Sequence, residues 1–268
     1  MMNISAVVIV KNEEASLRRC LESLRWVSEI VIVDSGSTDN TLTIAREFTD
    51  RIFVNLNWRG FGLQKRFAED QAQHDWVISL DADEVVTPKL RDEIIGAMAS
   101  VDESTVMQVN RLTRFCGRFV RHSGWHPDRI VRIYNRRRFR MNEREVHESV
   151  DCRGATVVRL REPLLHCPVG ELWQFIAKQH AYAGTWAQQN RSKGRKVLTI
   201  ELLVRPIFAF FKAYILQMGF LDGWVGFLIS AIRAQYVLTK YAMLVSEQSV
   251  CRGLTGIDEG EREDDGGG

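Results

Sequence analysis

The sequence lacks several features that would assign it to other classes of protein. Its five cysteines are odd in number and include no Cys-x-x-Cys pair, which argues against a zinc knuckle and a disulfide framework. The apolar run nearest the N-terminus, residues 4–10, is seven residues long and ends at Lys11. It is too short for a signal peptide or a membrane span. We therefore expect free thiols and a protein kept on the cytoplasmic side.

The overall composition is that of a globular protein. Of its 268 residues, 45% are apolar and 26% are charged, and the net charge is +2, which suits one large domain or a domain with an appendage. Charge is distributed unevenly, because residues 111–161 hold fourteen arginines and no lysine, and residues 197–245 are mostly apolar. Six acids and three final glycines mark residues 258–268. We predict a disordered acidic tail over residues 251–268.

The first hundred residues alternate apolar strands with amphipathic helices, which predicts a parallel sheet covered by helices on both faces. Leu17, Cys20, Leu21 and Leu24 share one side of the first predicted helix. Thr87 and Pro88 have the residue types of a helix N-cap and first position. Predicted strands cover residues 4–10, 30–33, 52–54, 76–80, 106–109, 130–134 and 156–160. A long helix follows near Glu171, and later helices are predicted to break near Pro206, Gly219 and Gly223.

Acidic residues follow two of the predicted strands. Asp34 ends the second strand, and Asp81-Ala-Asp83 ends the strand at residues 76–80. Ligands bind at the carboxyl ends of strands in open parallel sheets. Carboxylates there suit Mg²⁺ or Mn²⁺, which take oxygen ligands and bridge to substrate phosphates. The alternative is a solvated turn in which an aspartate caps the next helix.

Four segments occur in the order Ala6-Val-Val-Ile-Val-Lys-Asn-Glu-Glu14, Ile30-Val-Ile-Val-Asp-Ser-Gly-Ser-Thr-Asp-Asn-Thr41, Gly60-Phe-Gly-Leu-Gln-Lys-Arg66 and Asp75-Trp-Val-Ile-Ser-Leu-Asp-Ala-Asp-Glu84. Together they resemble inverting family-two glycosyltransferases, and their details resemble bacterial lipopolysaccharide inner-core β-glucosyltransferases. The resemblance implies a GT-A fold, which is an α/β, Rossmann-like, mostly parallel sheet with helices on both faces, plus a C-terminal amphipathic helical appendage. Later segments at Gly124-Trp-His-Pro-Asp128 and Val146-His-Glu148 also resemble that group.

The resemblance also implies roles for single residues in binding a nucleotide sugar. Asp34 would contact the uridine base, Asp81 the ribose, and Asp83 a Mg²⁺ or Mn²⁺ ion. Lys65 would lie near the base or the diphosphate, and Glu13 near the nucleotide. Taken alone, Lys65 is more typical of a solvated helix face, and Glu13 of an acid in the first turn of a helix.

The general base is less clearly marked, because the Glu-Asp pair of many relatives is missing. Asp128 and Glu148 are the candidates for the catalytic carboxylate, and Arg129 and Arg132 follow Asp128. The alternative for each is a surface acid paired with neighbouring arginines.

Histidines suggest further ligands. His166 and His147 are candidates for completing a metal site beside acids, and a partly buried histidine is the alternative for His166. His122 and His126 flank Gly124-Trp125, a candidate acceptor loop in which Trp125 would stack on a sugar or belong to the core.

The C-terminal helices combine an apolar stripe with basic residues. Glu201, Arg205 and Lys212 share one face, which favours a helix lying in the membrane interface; burial against the catalytic domain or a dimer partner is the alternative. We predict a glycosyltransferase domain at residues 1–195, divided into a nucleotide-sugar half at 1–100 and an acceptor half at 101–195. Membrane-associating helices at 196–250 follow it.

The sequence therefore predicts a metal-dependent inverting glycosyltransferase. It would move a sugar, glucose by resemblance, from a UDP-sugar to a hydroxyl of a phosphorylated glycolipid of the lipopolysaccharide core, at the inner face of the cytoplasmic membrane. The arginines suit such an anionic partner, and without a recognised motif we expect no nucleic acid. One alternative is a sugar-phosphate nucleotidyltransferase, which would need a glycine-rich loop where Lys11-Asn-Glu-Glu14 stands. Another is a catalytically silent membrane-surface glycan-binding protein.

Overall fold

The computed structural model describes residues 2–143, 148–170, 172–195 and 197–260. The chain forms two compact units. The first comprises Met1–Arg121 and Trp125–Val169, and the second comprises His122–Gly124 and Gly170–Gly268. The boundary therefore falls near residue 170 and not at the predicted residue 195.

The first unit is a nine-stranded sheet with four helices. Its helices are α1 (Leu17–Glu22), α2 (Thr41–Arg46), α3 (Phe61–Gln71) and α4 (Pro88–Met98). Its strands are β1 (Met2–Val10), β2 (Val27–Asp34), β3 (Ile52–Val54), β4 (Trp76–Asp81), β5 (Glu84–Val86), β6 (Thr105–Phe115), β7 (Arg118–Phe119), β8 (Asp128–Asn135) and β9 (Thr156–His166).

The strand order is β3-β2-β1-β4-β8-β6-β9-β5, with β7 beside β6. Strands β3, β2, β1 and β4 are parallel, whereas β8 is antiparallel to both β4 and β6. The predicted α/β fold of the GT-A type is confirmed, but the sheet is mixed and not mostly parallel. A parallel neighbour requires a long crossover, usually a helix, and no helix separates β6 from β8.

Both faces of the central strands are buried. Along β1, Ala6 and Val8 belong to one apolar cluster, while Val7 and Ile9 belong to another on the opposite face. This explains the continuous apolar run at residues 6–10 of β1, since a strand covered on both sides has no polar face. The predicted inner side of α1 is confirmed, because Leu17, Cys20, Leu21 and Leu24 are all fully buried.

Thr87 begins α4 as predicted. Its Oγ1 accepts a hydrogen bond from the backbone N–H of Leu90 at 3.1 Å, and Pro88 occupies the first turn. This satisfies one of the backbone donors left open at a helix start.

The second unit is helical. It contains α5 (Leu172–Ser192), α6 (Glu201–Phe211), a π-helical turn (Lys212–Leu216), a 3₁₀ turn (Gly219–Asp222) and α7 (Trp224–Gly260). Both α5 and α6 pack against α7. Pro206 lies inside α6, so the predicted break at that residue is wrong, whereas the chain does bend around Gly219 and Gly223.

Residues 251–260 continue α7, in place of the predicted disordered tail, and residues 261–268 lie outside the described part of the chain. Within the described residues, none of the helices combines the length and apolar character needed to cross a membrane.

Candidate active site

The two acidic strand ends lie at one edge of the sheet. Asp34 is in register with Val10, and Asp81 is in register with Ile9, so the acids lie on either side of the end of β1. The predicted shared edge is confirmed. It follows from the parallel pairing of β2, β1 and β4, which aligns their carboxyl ends.

Asp34 shapes the loop that it begins. Its carboxylate is buried and accepts hydrogen bonds from the backbone N–H groups of Gly36 at 2.9 Å and Ser37 at 3.1 Å. Gly36 has φ of 91°, a left-handed conformation that glycine adopts without a steric penalty. Each carboxylate oxygen has further acceptor capacity, so contact with a uridine base stays a prediction.

Glu13 lies close enough to Asp81 and Asp83 for their negative charges to act on its carboxyl. Its backbone N–H donates to Thr41 Oγ1 at 2.7 Å, and its carboxylate accepts from Ser16 Oγ. Burial raises the pKa of Glu13, and the charges of Asp83 and Asp81 raise it further. The alternative of an acid in the first turn of a helix is wrong, because α1 begins only at Leu17.

Helix α3 connects the two acidic loops through neighbouring side chains. Gln64 Nε2 donates to Ser35 Oγ at 2.9 Å. Lys65 Nζ contacts Asp81 Oδ1 at 2.7 Å and Glu148 Oε1 at 2.8 Å. Lys65 is only 1% exposed, so the alternative of a solvated helix face is wrong for this residue.

Arg132 binds two acids, Asp81 at the end of β4 and Glu84 at the start of β5. Its Nη2 lies 2.6 Å from Asp81 Oδ2 and 2.5 Å from Glu84 Oε1. Burial alone would raise the pKa of Asp81, but the charges of Arg132 and Lys65 outweigh it and hold that pKa well below its usual range. Burial raises the pKa of the Glu84 carboxyl, which is fully enclosed. Sequence reasoning assigned no role to Glu84.

Arg111 extends these contacts to Asp128. Its Nε and Nη2 both lie 2.8 Å from Asp128 Oδ2, and its Nη1 lies 3.6 Å from Glu84 Oε1. The two candidate bases thus stand at opposite ends of one chain of alternating charges. That charge chain is Glu148, Lys65, Asp81, Arg132, Glu84, Arg111 and Asp128.

Asp83 and His166 meet beside this chain. Strand β5 pairs with β9 so that Glu84 is in register with His166, and His166 Nε2 lies 3.1 Å from Asp83 Oδ2. The other ring nitrogen, Nδ1, lies 3.1 Å from Thr113 Oγ1. The hydroxyl of Thr113 can donate or accept a hydrogen bond, so it can support either tautomer of His166.

The donor set of Asp83 and His166 fits a divalent cation. A magnesium site needs only one or two protein ligands when substrate phosphates and water supply the rest, and a neutral imidazole nitrogen is an acceptable ligand. Among the described residues, no group of three or more His, Cys, Asp or Glu side chains is arranged around one metal position. The second candidate histidine, His147, lies outside the described residues.

The predicted acceptor loop divides between the two units. His122 belongs to the helical unit, where its Nδ1 lies 3.1 Å from Asp222 Oδ1. In the first unit, the ring of half-buried Trp125 lies 5.2 Å from that of Phe115, and His126 Nε2 lies 2.8 Å from Asn110 Nδ2. A sugar-binding role for this loop, with Trp125 stacking on a sugar, stays a prediction.

This fold, with its acids at the strand ends, defines a glycosyltransferase of the GT-A type. The chain belongs to glycosyl transferase family 2, whose family model matches residues 5–165. That match includes the whole charge chain and Asp83, and it ends one residue before His166.

Two relatives extend along most of the chain. An uncharacterized glycosyltransferase of Rickettsia bellii is 31% identical over 270 residues, covering 94% of this chain and 89% of the relative. The lipopolysaccharide core biosynthesis glycosyltransferase LpsC of Rhizobium meliloti is 29% identical over 257 residues, covering 90% of this chain and 93% of LpsC. The chain is thus homologous to a lipopolysaccharide core glycosyltransferase.

Two similar solved structures were found in complex with a UDP-sugar. S. aureus TarS 1–349 in complex with UDP-GlcNAc aligns with a TM-score of 0.46 at 16% identity and covers 92% of each chain. Glucosyl-3-phosphoglycerate synthase from Mycobacterium tuberculosis, in complex with Mn²⁺ and UDP-glucose, aligns with a TM-score of 0.34 at 25% identity. That alignment covers 41% of this chain and 43% of the synthase.

Proposed function

We propose that this glycosyltransferase moves a sugar from a UDP-sugar to a hydroxyl of a lipopolysaccharide-core glycolipid or a related acceptor, with inversion at the anomeric carbon. The observation that carries the proposal is the edge of the sheet where Asp34 and Asp81 end the two strands beside β1, with the Asp83–His166 pair just after Asp81. Membership of family 2 supports glycosyl transfer over nucleotidyl transfer. The relative LpsC supports an acceptor of the lipopolysaccharide-core class.

In this proposal the nucleoside, the ribose and the diphosphate of the UDP-sugar each contact different residues at the edge of the sheet where β2 and β4 end. Asp34 and Glu13 receive the nucleoside, and Asp81 receives the ribose. Lys65 and Arg132 hold Asp81 from both sides, at 2.7 and 2.6 Å, and fix its orientation. In this arrangement Lys65 positions Asp81, because its ammonium is already engaged by two carboxylates.

Asp83 and His166 would hold a Mg²⁺ or Mn²⁺ ion. When bound, such a cation neutralises the negative charge that develops on the departing nucleoside diphosphate. Thr113 contacts the other ring nitrogen of His166, Nδ1, through its hydroxyl. A hydrogen bond of this kind to the non-ligating nitrogen fixes the orientation of a metal-binding imidazole.

Asp128 is the carboxylate that we assign as general base. It must accept a proton from an acceptor that arrives from solvent, and its side chain is 34% exposed, compared with 19% for Glu148. Asp128 also begins strand β8, and a rigid strand holds a reacting group in place. Glu148 contacts buried Lys65, and we assign it to the support of that lysine.

Glucose is the donor sugar that the sequence resemblance favours. The proposed place of action is the inner face of the cytoplasmic membrane, with the protein peripheral to it. The exposed apolar side chains and basic residues of the second unit support this location.

The donor site is tested by measuring binding of UDP and UDP-glucose with and without Mn²⁺, using the wild type, Asp83→Ala and Asp92→Ala. We expect Mn²⁺ to strengthen binding to the wild type and to Asp92→Ala, in which an exposed surface acid of α4 is removed. In Asp83→Ala the Mn²⁺-dependent gain in UDP affinity should fall by at least about 10- to 100-fold, the loss that removal of an outer-shell partner already causes. If UDP affinity were the same with and without Mn²⁺, and the same in the wild type and Asp83→Ala, the proposal would be contradicted.

A further inference from the structure

The second unit exposes an unusual amount of apolar surface. Fourteen large apolar side chains between residues 198 and 227 are exposed, each by 47% or more. Surface patches of this kind in soluble proteins mark interaction sites. Examples from α6, the turns that follow and the start of α7 are Leu203, Ile207, Phe211, Leu216, Leu221 and Trp224.

The charge of residues 172–195 and 197–246 of this unit is mostly positive. Residues 172–195 and 197–246 contain eight Lys and Arg side chains but only two acids. Both acids are engaged, because Glu201 pairs with Arg205 and Asp222 with His122. An apolar surface with basic edges matches the interface of a bilayer that carries anionic lipids.

A groove between α6 and α7 brings four cations together over an apolar wall. Its volume is about 600 Å³. Within the described part of the chain, no carboxylate pairs with Lys212, Arg233 or Lys240. This α6–α7 groove is lined by the cations Arg205, Lys212, Arg233 and Lys240 and by Val204, Phe208, Val237 and Tyr241, among others.

Aromatic rings surround Lys240 at this groove, and other cations lie close to it. Its Nζ lies 4.7 Å from the ring centre of Trp186 and 4.8 Å from that of Tyr236. Burial and the charges of Arg195 and Arg205 lower the pKa of Lys240. The fold thus gathers like charges against their mutual repulsion, and an anion placed among them would relieve it.

We propose that the α6–α7 groove binds the phosphate headgroup of an anionic phospholipid, while the exposed apolar face of α6 contacts its acyl chains. Lys212 and Lys240 supply point charges for phosphate oxygens. Arg205, whose Nε and Nη2 bind Glu201, adds its remaining N–H donors. The inference rests on the proposed membrane location and deepens it. It does not depend on the transfer reaction, because the binding needs neither nucleotide nor acceptor.

The test is flotation of the full chain with vesicles of phosphatidylcholine, alone or mixed with phosphatidylglycerol, without nucleotide. Strong binding is expected only when phosphatidylglycerol is present. The double variant Lys212→Gln/Lys240→Gln should bind the mixed vesicles about thirtyfold more weakly, since each cation at an anionic surface contributes roughly 1 kcal/mol.

The matched control is Lys178→Gln/Lys193→Gln, which removes two exposed lysines of the same unit that do not line the groove. We expect a loss below about threefold, because charges away from the contact are screened. The variant Lys212→Arg/Lys240→Arg should retain wild-type binding, and circular dichroism checks that each variant is folded. Equal losses in the groove and control variants would overturn the proposal, as would equal binding to both vesicle types.

A second measurement separates the lipid from free phosphate. Dihexanoyl phosphatidylglycerol, added as monomer, should compete with the vesicles, whereas glycerol phosphate at the same concentration should not. Equal competition by glycerol phosphate would identify a soluble phosphate ester as the occupant and overturn the lipid assignment. Failure of the proposed transferase reaction would leave all of these results unchanged.

Discussion

Replacing Lys65 by methionine tests whether the charge chain holds the candidate active site together. Methionine keeps an unbranched side chain of similar length and removes the charge. In the folded protein the ammonium lies 2.7 Å from Asp81 and 2.8 Å from Glu148. At an effective dielectric constant of about 20, each contact has a gross attraction on the order of 6 kcal/mol. Much of it is offset by the cost of removing the ammonium from water.

The net effect of Lys65→Met depends on the acids that remain. Breaking a buried ion pair costs about 3–5 kcal/mol, because the partner is left buried without compensation. Here Asp81 keeps Arg132, and the two acids are 30% and 19% exposed, so water relieves part of the cost. We therefore expect the free energy of unfolding to fall by about 3 kcal/mol. UDP affinity should fall too, because Asp81 loses one of its two supports.

The assay is urea unfolding followed by fluorescence and circular dichroism, with Arg66→Met as the matched control. Arg66 is the next residue on α3, and its partner Glu143 is 65% exposed, so its loss should cost less than about 1 kcal/mol. In a double-mutant cycle with Glu148→Gln, the coupling with Lys65 should exceed about 0.5 kcal/mol. If Lys65→Met were as stable as Arg66→Met, the charge chain would have no structural role.

Two further predictions concern the general base and the core. Asp128→Asn should lower kcat by about 10²- to 10⁴-fold with little change in UDP affinity, whereas Glu148→Gln should weaken UDP binding more than it lowers kcat; the reverse pattern would exchange their roles. Burial, followed by the charge of Glu69, raises the pKa of Tyr134, so Tyr134 stays protonated in the folded protein while the unfolded chain ionises near pH 10. The free energy of unfolding should then fall as pH rises above about 10, by up to about 1.4 kcal/mol per pH unit. In urea titrations at pH 9 to 11, the free energy of unfolding of Tyr134→Phe should fall less steeply than that of the wild type.

Short-range patterns were enough to predict the first third of the fold. The apolar run of β1, the inner side of α1 and the Thr87 cap depend on residues close together in the chain. The order of strand, acidic loop and helix then implied that Asp34 and Asp81 would share an edge, since parallel strands align their carboxyl ends. The resemblance to family 2, carried by four segments, also follows from the sequence alone.

Other features were wrong or absent in the sequence reasoning because they depend on distant partners. The direction of β8 is set by its pairing with β4 and β6, which no local pattern records. Pro206 was predicted to break a helix, but α6 continues through it. The partner of His122 is Asp222, one hundred residues away, and no local pattern indicates that contact.

By itself, the sequence determined the family and the residue types that stand at the strand ends, because these are fixed by local periodicity and by motif order. Only the tertiary structure decided that Lys65 is buried between Asp81 and Glu148, that Glu84 shares Arg132 with Asp81, and that four cations line one groove. The physical reason is that the energy of a charge depends on its burial and on the distance to its partners. Both are set by strands and helices that lie far apart in the chain.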